Sequence, residues 1–180
     1  NTFIIKELIG KVDRFEICSP GEEKICYSLG VPKEQMVISG VYKTPEVIEK
    51  TVADDSFDGL FTVESMHQFS LLCEYAVKYD REVKLLLRLT NDSQFGINAE
   101  EIEDIISSRA DYKNIEICGI QFFSGTQKTS VKKLRREIEK ADAFLTRLSD
   151  EYGYIAPEFE YGTGFAVSYF EGEEFNEDEY

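Results

Sequence analysis

Short apolar runs alternate with longer amphipathic segments along this chain. Two of the apolar runs, "VKLLLRL" and "IEICGIQFF", are nearly continuous, which is typical of strands that are covered on both faces of a sheet. The segments between the apolar runs show helical spacing of their apolar residues. A repeated strand–helix unit predicts right-handed crossovers between parallel strands. The alternation therefore restricts the chain to the α/β class.

Six strands are predicted, and five helices separate them. A further helix is predicted over residues 3–9, before the first strand. Successive strand starts are on average roughly 30 residues apart, which is the length of one βα unit of a barrel. The predicted strands are Arg14–Cys18, Met36–Ser39, Gly59–Val63, Val83–Leu89, Ile115–Phe123 and Glu158–Tyr161.

Helix start signals and apolar stripes support this division. Ser65, Asn98 and Thr44 stand where N-caps are favoured, and Pro45 follows at a first helical position. Residues 130–149 form the clearest helix. Its inward stripe is predicted to contain Val131, Leu134, Ile138, Ala141, Leu145 and Leu148, and the two shorter stripes contain Phe69, Leu72 and Ala76, and Ile102, Ile105 and Ile106.

Two parallel architectures compete for this pattern. An open doubly wound sheet usually carries a G-x-G-x-x-G fingerprint after its first strand, and "EICSPGE" has none. A (β/α)8 barrel carries its chemistry at the C-terminal ends of its strands. Polar residues gather at those ends here: Glu16, Ser19, Ser39, Glu64, Arg88, Ser124, Thr126, Glu160 and Gly162. The sequence favours a barrel, and six units instead of eight predict an incomplete one.

Charge and side-chain chemistry exclude several classes of function. The net charge of -15 predicts repulsion from nucleic acid and from anionic membrane surfaces, and no apolar run approaches the ~18 residues of a membrane span. The four cysteines form no C-x-x-C pair and are predicted to be small buried residues in a reducing cytoplasm: Cys18, Cys26, Cys73 and Cys118. With His67 as the sole histidine, expected at a surface or half-buried position, no metal site is predicted.

Two strand ends are suited to a phosphate group. Gly125 allows backbone N–H groups to approach an anion closely, and Thr126 adds a hydroxyl donor. Gly162 and Gly164 follow the last predicted strand in "EYGTGF". Barrel phosphate sites often lie on late strand loops, although each turn alone is also compatible with an ordinary loop.

Six motifs in the same order give the chain a family resemblance. They are "RFEICSPGE", "LGVPKEQMVISGVYKTPEVI", "FTVES", "LLLRLTNDSQFGI", "GIQFFSGTQ" and "FEYGTGFAVSY". The chain resembles the pyridoxal-phosphate-binding barrel domain of the ornithine/diaminopimelate/arginine decarboxylases, whose fold is related to that of alanine racemase. "GIQFFSGTQ" is similar to the family's "GLHFHIGSQ", and "FEYGTGFAVSY" to its "LDLGGGFGIPY". The resemblance covers residues 1–180 as one partial barrel domain, from the first helix to about the seventh strand.

The resemblance implies a set of cofactor-binding residues. Gly125 and Thr126, and the run Gly162, Thr163 and Gly164, stand at the family's phosphate-binding positions. Phe123 stands where a histidine stacks on the pyridine ring. Arg88 and Glu16 stand where charged residues line the cofactor's floor. The implied cofactor is pyridoxal 5'-phosphate.

The chain also departs from the family's pattern. Phe123 and Gln121 replace histidines, and Thr163 interrupts a triple glycine. No segment matches the first strand, which carries the Schiff-base lysine, so no catalytic residue is assigned; Lys43 is expected to be a loop or helix-start residue. Glu64 is expected to have a structural hydrogen-bonding role, with a general base as the alternative. The barrel is expected to lack its first and last strands, and residues 171–180 to form an acidic tail or truncated loop.

The resemblance implies decarboxylation of a basic or diamino amino acid, of the diaminopimelate, ornithine, arginine or lysine class, by a Schiff-base mechanism. The lysine would lie outside this chain, which alone would be an inactive fragment. A homodimer and a cytoplasmic location are implied for the full-length protein. A non-catalytic cofactor-binding scaffold and an amino-acid racemase of the same fold are the alternatives.

Overall fold

The computed structural model describes residues 1–172, in which six strands and six α-helices alternate. The strands are β1 (Phe15–Ile17), β2 (Met36–Ile38), β3 (Leu60–Val63), β4 (Val83–Leu89), β5 (Ile115–Phe123) and β6 (Glu158–Gly162). The helices are α1 (Thr2–Leu8), α2 (Pro20–Leu29), α3 (Pro45–Val52), α4 (Met66–Tyr79), α5 (Ala99–Ser107) and α6 (Val131–Tyr152). Short 3-10 turns cover Lys33–Gln35 and Arg109–Asp111. Most of the predicted acidic tail lies outside the described residues.

The strands form one parallel sheet in the order β1-β2-β3-β4-β5-β6. A doubly wound sheet reverses its strand order at a switch point, and this sheet has no reversal among the described residues. The sheet also curls. Arg14, beside β1, donates to Glu158 on β6 at 2.7 Å, and Gln121 on β5 donates to Glu16 on β1 at 3.1 Å. The barrel prediction is thus confirmed as a curled six-strand half-barrel, and the expectation that the first and last strands lie outside the chain stays a prediction.

The predicted N-caps explain where three helices begin. Ser65 Oγ accepts from the Gln68 N–H at 3.3 Å, and Thr44 Oγ1 accepts from the Val47 N–H at 3.4 Å. Asn98 forms a capping box with Glu101. Each cap satisfies backbone donors that have no partner within the first turn.

The main core lies between the sheet and the helices. The predicted stripes of α4 and α5 are buried there, as is Leu148 of α6. Leu134 and Ala141 of α6 are buried as well, outside this cluster. Ile138 was wrongly assigned to this core, since 52% of it is exposed, and Phe144 is buried instead. Helical spacing places Ile138 about 120° around α6 from Phe144, so it lies at the edge of the buried stripe.

A bulge in β5 determines which of its side chains face the inside of the curl. Ile117 pairs with Leu85 and Gly119 pairs with Leu86, so Cys118 is the extra residue. Cys118 packs inside the curl in a small apolar cluster with Val37, Leu60 and Leu86. After the bulge the alternation is shifted by one residue, and Gln121 faces the inside while Phe122 faces the helices.

The cysteine prediction holds for part of the set. Cys26 and Cys118 are buried and Cys73 is half-buried, but Cys18 is exposed. Strand alternation explains the error, because Ile17 faces the helix layer and Cys18 therefore faces the mouth of the curl. Among residues 1–172, no helix combines the length and apolar character that crossing a membrane requires.

Candidate functional site

A cavity of about 290 Å³ opens at the C-terminal ends of the strands, inside the curl. It is lined by Glu16, Cys18, Ser39, Gly40, Arg88, Gln121, Phe123, Glu160 and Gly162. Four of the predicted site residues, Glu16, Arg88, Phe123 and Gly162, therefore meet there. The others lie on the loops beside it. Strand alternation alone would have added Cys18 and Gln121, which follow Glu16 and precede Phe123 by two residues.

The floor of the cavity is a bridged pair of carboxylates. Gln121 Nε2 donates to Glu16 Oε1 at 3.1 Å and to Glu160 Oε1 at 2.6 Å, and Ser39 Oγ donates to Glu16 Oε1 at 2.7 Å. Burial raises the pKa of Glu160, the Gln121 hydrogen bond opposes the shift, and the nearby Glu16 adds to it. The floor is therefore acidic and accepts hydrogen bonds.

Arg88 is held in place by an ion-pair network behind the cavity wall. Its guanidinium donates to Glu64 Oε2, and Lys43 Nζ lies 3.7 Å from Glu64 Oε1 and donates to the Gly40 carbonyl. The side chains of Lys43 and Glu64 are each 1% exposed. Burial lowers the pKa of Lys43 to about 8, although Glu64 opposes that shift. Glu64 therefore has the expected structural role, and Lys43 is a buried member of this network.

Phe123 forms an aromatic wall of the cavity. The Arg88 guanidinium lies 5.7 Å from the centroid of its ring and 5.7 Å from that of Phe95. On another side the ring packs against Gly162, where an added Cβ would lie 2.5 Å from Phe123 Cδ2. Glycine at position 162 thus makes room for the ring, and Phe123 and Gly162 are partners in neighbouring strands.

The two glycine-containing loops that follow β5 and β6 pack directly on each other. A Cβ at Gly164 would lie 1.9 Å from the Gly125 carbonyl oxygen, so only glycine permits this approach. Both residues also have positive φ, 117° at Gly125 and 62° at Gly164. Within residues 1–172, the backbone N–H groups of Gly125 and Thr126 donate to no other group of the chain. Free amide donors in a glycine-containing turn can hold an anion.

Lys128 is a buried residue of this region that sequence reasoning missed. Its Nζ donates to Ser124 Oγ at 2.5 Å and to Glu137 Oε2 at 2.7 Å, and the Tyr161 hydroxyl donates to the same Glu137 oxygen at 3.0 Å. In sequence, Lys128 is one lysine in a polar loop. No periodic pattern distinguishes it from the solvated lysines of α6.

The arrangement suits a planar ligand that carries a phosphate group. Free backbone donors and the Thr126 hydroxyl can hold a dianion, the Phe123 ring presents an aromatic face, and the floor accepts hydrogen bonds. Among the described residues, no group of three or more histidine, cysteine or acidic side chains is placed to hold a metal ion, and His67 is exposed in α4.

Comparison with known proteins agrees with this geometry. Residues 1–180 match the family described as "Pyridoxal-dependent decarboxylase, pyridoxal binding domain". A diaminopimelate decarboxylase of Aquifex aeolicus (strain VF5) is 27% identical over 169 residues, which are 86% of this chain and 40% of that protein.

Solved structures give the same fold. A lysine/ornithine decarboxylase from Vibrio vulnificus, complexed with putrescine, has a TM-score of 0.77 and 25% identity, covering 94% of this chain and 45% of that one. A diaminopimelate decarboxylase from M. jannaschi has a TM-score of 0.85 over 98% of this chain and 44% of that one; at 20% identity it supports the fold alone.

The chain spans about 40% of the length of the curated relatives it matches. The family match covers the whole chain. The matched residues form a half-barrel whose last two strands are followed by glycine loops that pack on each other. The chain belongs to the pyridoxal-binding domain family of the pyridoxal-dependent decarboxylases, whose cofactor is pyridoxal phosphate.

Proposed function

We propose that the protein containing this chain decarboxylates a basic or diamino amino acid with pyridoxal phosphate as cofactor. The observation that carries the proposal is the cavity at the C-terminal strand ends, where two apposed glycine loops adjoin an aromatic wall and an acidic floor. Relatives named as diaminopimelate and lysine/ornithine decarboxylases share this domain. A scaffold or racemase function has no such support.

The cofactor's phosphate is assigned to the two loops. Gly125 and Thr126 contribute backbone and hydroxyl donors, and Gly162, Thr163 and Gly164 contribute the second loop. The free N–H groups and the close approach of Gly164 to Gly125 support this assignment, because a Cβ at position 164 would separate the loops.

The cofactor's ring is assigned to Phe123, with Arg88 and Glu16 on the adjoining floor. Bound pyridoxal phosphate supplies an electron sink for the pair left when the Cα–carboxylate bond breaks. Phe123 orients the ring and excludes water, and it holds no exchangeable proton. Gln121 is neutral as well. The cavity groups of this chain that can hold or move a proton include the carboxyls of Glu16 and Glu160, the Ser39 hydroxyl and the Cys18 thiol.

The charge of the cavity supports the proposed substrate class. Glu16 and Glu160 have only neutral hydrogen-bond donors among the described side chains, Ser39 and Gln121. An acidic floor of this kind favours a substrate with an additional ammonium group over one with a second carboxylate.

The lysine that binds the cofactor covalently is assigned to the protein outside this chain. Lys43 is buried against Glu64 and donates to Gly40, which supports its exclusion. The barrel's first and last strands, a homodimer of the whole protein and a cytoplasmic location remain parts of the proposal.

Decarboxylation assays on the whole protein test the proposal. Release of carbon dioxide is expected from at least one of diaminopimelate, ornithine, arginine and lysine when pyridoxal phosphate is present. Racemisation without carbon dioxide would indicate the racemase, and cofactor binding without turnover would indicate the scaffold. Borohydride reduction and peptide mass mapping should locate the cofactor on a lysine outside residues 1–180, and an adduct on Lys43 would contradict that part.

A further inference from the structure

Lys128 lies beneath the two glycine loops and connects them to α6. Its side chain is 3% exposed, and that of Glu137 on α6 is 12% exposed. Lys128 Nζ donates to Glu137 and to Ser124, the first residue of the loop after β5. Tyr161, in β6, donates to Glu137 and lies with its ring centroid 5.7 Å from Lys128 Nζ. One buried ion pair therefore joins β6, α6 and the loop that contains Gly125.

The main chain of Lys128 links the same loop to the loop after β6. Its N–H donates to the Gly164 carbonyl at 2.9 Å, and its carbonyl accepts from the Ala166 N–H at 3.2 Å. The neighbouring Gln127 side chain donates to the Val167 carbonyl at 2.9 Å and accepts from the Val167 N–H at 2.7 Å. Movement of Lys128 would therefore move both loops.

Glu137 is surrounded by groups that favour its carboxylate form. Burial alone would raise the pKa of Glu137, but hydrogen bonds from Lys128, Ser124 and Tyr161 outweigh it and lower the pKa. A buried ion pair contributes little net stability compared with apolar side chains of similar volume, because desolvation offsets the attraction. What the ion pair supplies, and an apolar pair would not, is directed hydrogen bonds that fix the position of Ser124 relative to α6.

We propose that Lys128 is a positioning residue for the phosphate of the cofactor. Through Glu137 and Ser124 it holds the Gly125–Thr126 turn at a set distance from the Gly162–Gly164 turn, so that donors of both loops reach one dianion. This inference rests on the proposed assignment of the loops to the phosphate.

The test compares pyridoxal phosphate with pyridoxal, which lacks the phosphate, in titrations of the whole apoprotein. The variant K128M should lower the affinity for pyridoxal phosphate on the order of tenfold, as removal of supporting residues does around other bound groups. Its affinity for pyridoxal should change less than twofold. The ³¹P resonance of the bound cofactor should also shift or broaden. The control K140M removes an exposed lysine of α6 and should leave both affinities unchanged.

A second variant keeps the test decisive if K128M does not fold. K128M/E137L replaces the ion pair by an apolar pair, which is expected to fold, and it should still lose the preference for the phosphate-bearing ligand. A wild-type preference in this folded variant would overturn the role of Lys128. If the wild-type protein itself does not prefer pyridoxal phosphate to pyridoxal, the assignment of the loops is wrong, which is a separate failure.

Discussion

Phe123 lines the cavity only because its side chain faces the inside of the curl. Two phenylalanines are adjacent, and period-two alternation counted from the inward Cys118 would have placed Phe122 inside the curl. The bulge reverses this outcome. The resemblance to "GLHFHIGSQ" pointed to Phe123, which the structure places in the cavity wall. Periodicity alone would have pointed to Phe122, because a bulge has no sequence signature here.

A side chain at position 162 would clash with Phe123, so removing the Phe123 ring should relieve the effect of a substitution there. G162A should weaken binding of pyridoxal phosphate, because the new Cβ would lie 2.5 Å from Phe123 Cδ2 and displace the ring. The double variant G162A/F123A should then bind no worse than F123A alone, as cofactor titration can check. In G164A the new Cβ would instead meet the Gly125 backbone, so adding F123A should not restore cofactor binding. An additive loss in G162A/F123A would contradict this account.

Replacing Phe123 by histidine should introduce a titrating group. F123H should keep a ring against Gly162 and add an imidazole with an ordinary pKa of about 6.5. The absorbance of the bound cofactor, followed from pH 5 to 8, should then show a transition that the wild type and F123L lack. A featureless profile in F123H would place the ring away from the cofactor.

Lys43 should titrate far below other lysines. Burial lowers its pKa to about 8, so the folded protein binds this proton less tightly than the unfolded chain does. The resulting penalty on folding is fully present below about pH 8, and stability from this group should rise between about pH 8 and 10.5. Carbon-13 NMR of ε-labelled lysine should show a resonance with a midpoint near 8 that is absent in K43M. Titration of every lysine near 10.5 would contradict the buried network.

At the scale of elements, buried strands were the easiest to predict. The bounds of β4 and β5 match their predicted ranges, because continuous apolar runs end sharply where the strands leave the core. Helix starts were also readable from their caps. The inward face of α6 was not, since a long amphipathic helix touches the body along a narrow stripe and apolar residues such as Ile138 can flank it.

The corrected face of α6 can be measured by substitution. F144A should lower the free energy of unfolding by about 3–5 kcal/mol, as the loss of a buried aromatic ring does. I138E should change it by less than about 0.5 kcal/mol, because half of the Ile138 surface already contacts solvent. Denaturant unfolding of the whole protein provides the comparison. Equal destabilisation by both changes would restore the original assignment of Ile138.

At the scale of the whole molecule, the strand order distinguishes a curled barrel from a doubly wound sheet. The sequence predicted the barrel from the polar residues at the strand ends and from the missing glycine fingerprint. The contacts that curl the sheet were not predictable, because they join residues far apart in the chain. Arg14 and Glu158 are an example, with no local pattern that pairs them. The acidic floor and the Lys128 anchor likewise exist only once the strands are side by side.

The Arg14–Glu158 ion pair joins the two ends of the curled sheet but should contribute little to its stability. Both side chains are more than a third exposed, 35% and 36%, and exposed ion pairs typically contribute about 0–1 kcal/mol. E158Q should therefore lower the free energy of unfolding by no more than about 1 kcal/mol, and 1 M salt should remove most of the difference. A larger, salt-independent loss would mean that the pair itself holds the two ends of the sheet together.

The bulge at Cys118 has a consequence for how such a protein can diverge. Most single substitutions in β5 alter one side chain and leave the others in place. Loss of a single codon between Ile117 and Gln121 would remove the extra residue and restore regular pairing, with Phe123 still in the cavity and Phe122 still towards the helices. β5 can therefore lose one residue at the bulge without reversing its faces, whereas loss of a residue after Gln121 would reverse every side chain that follows.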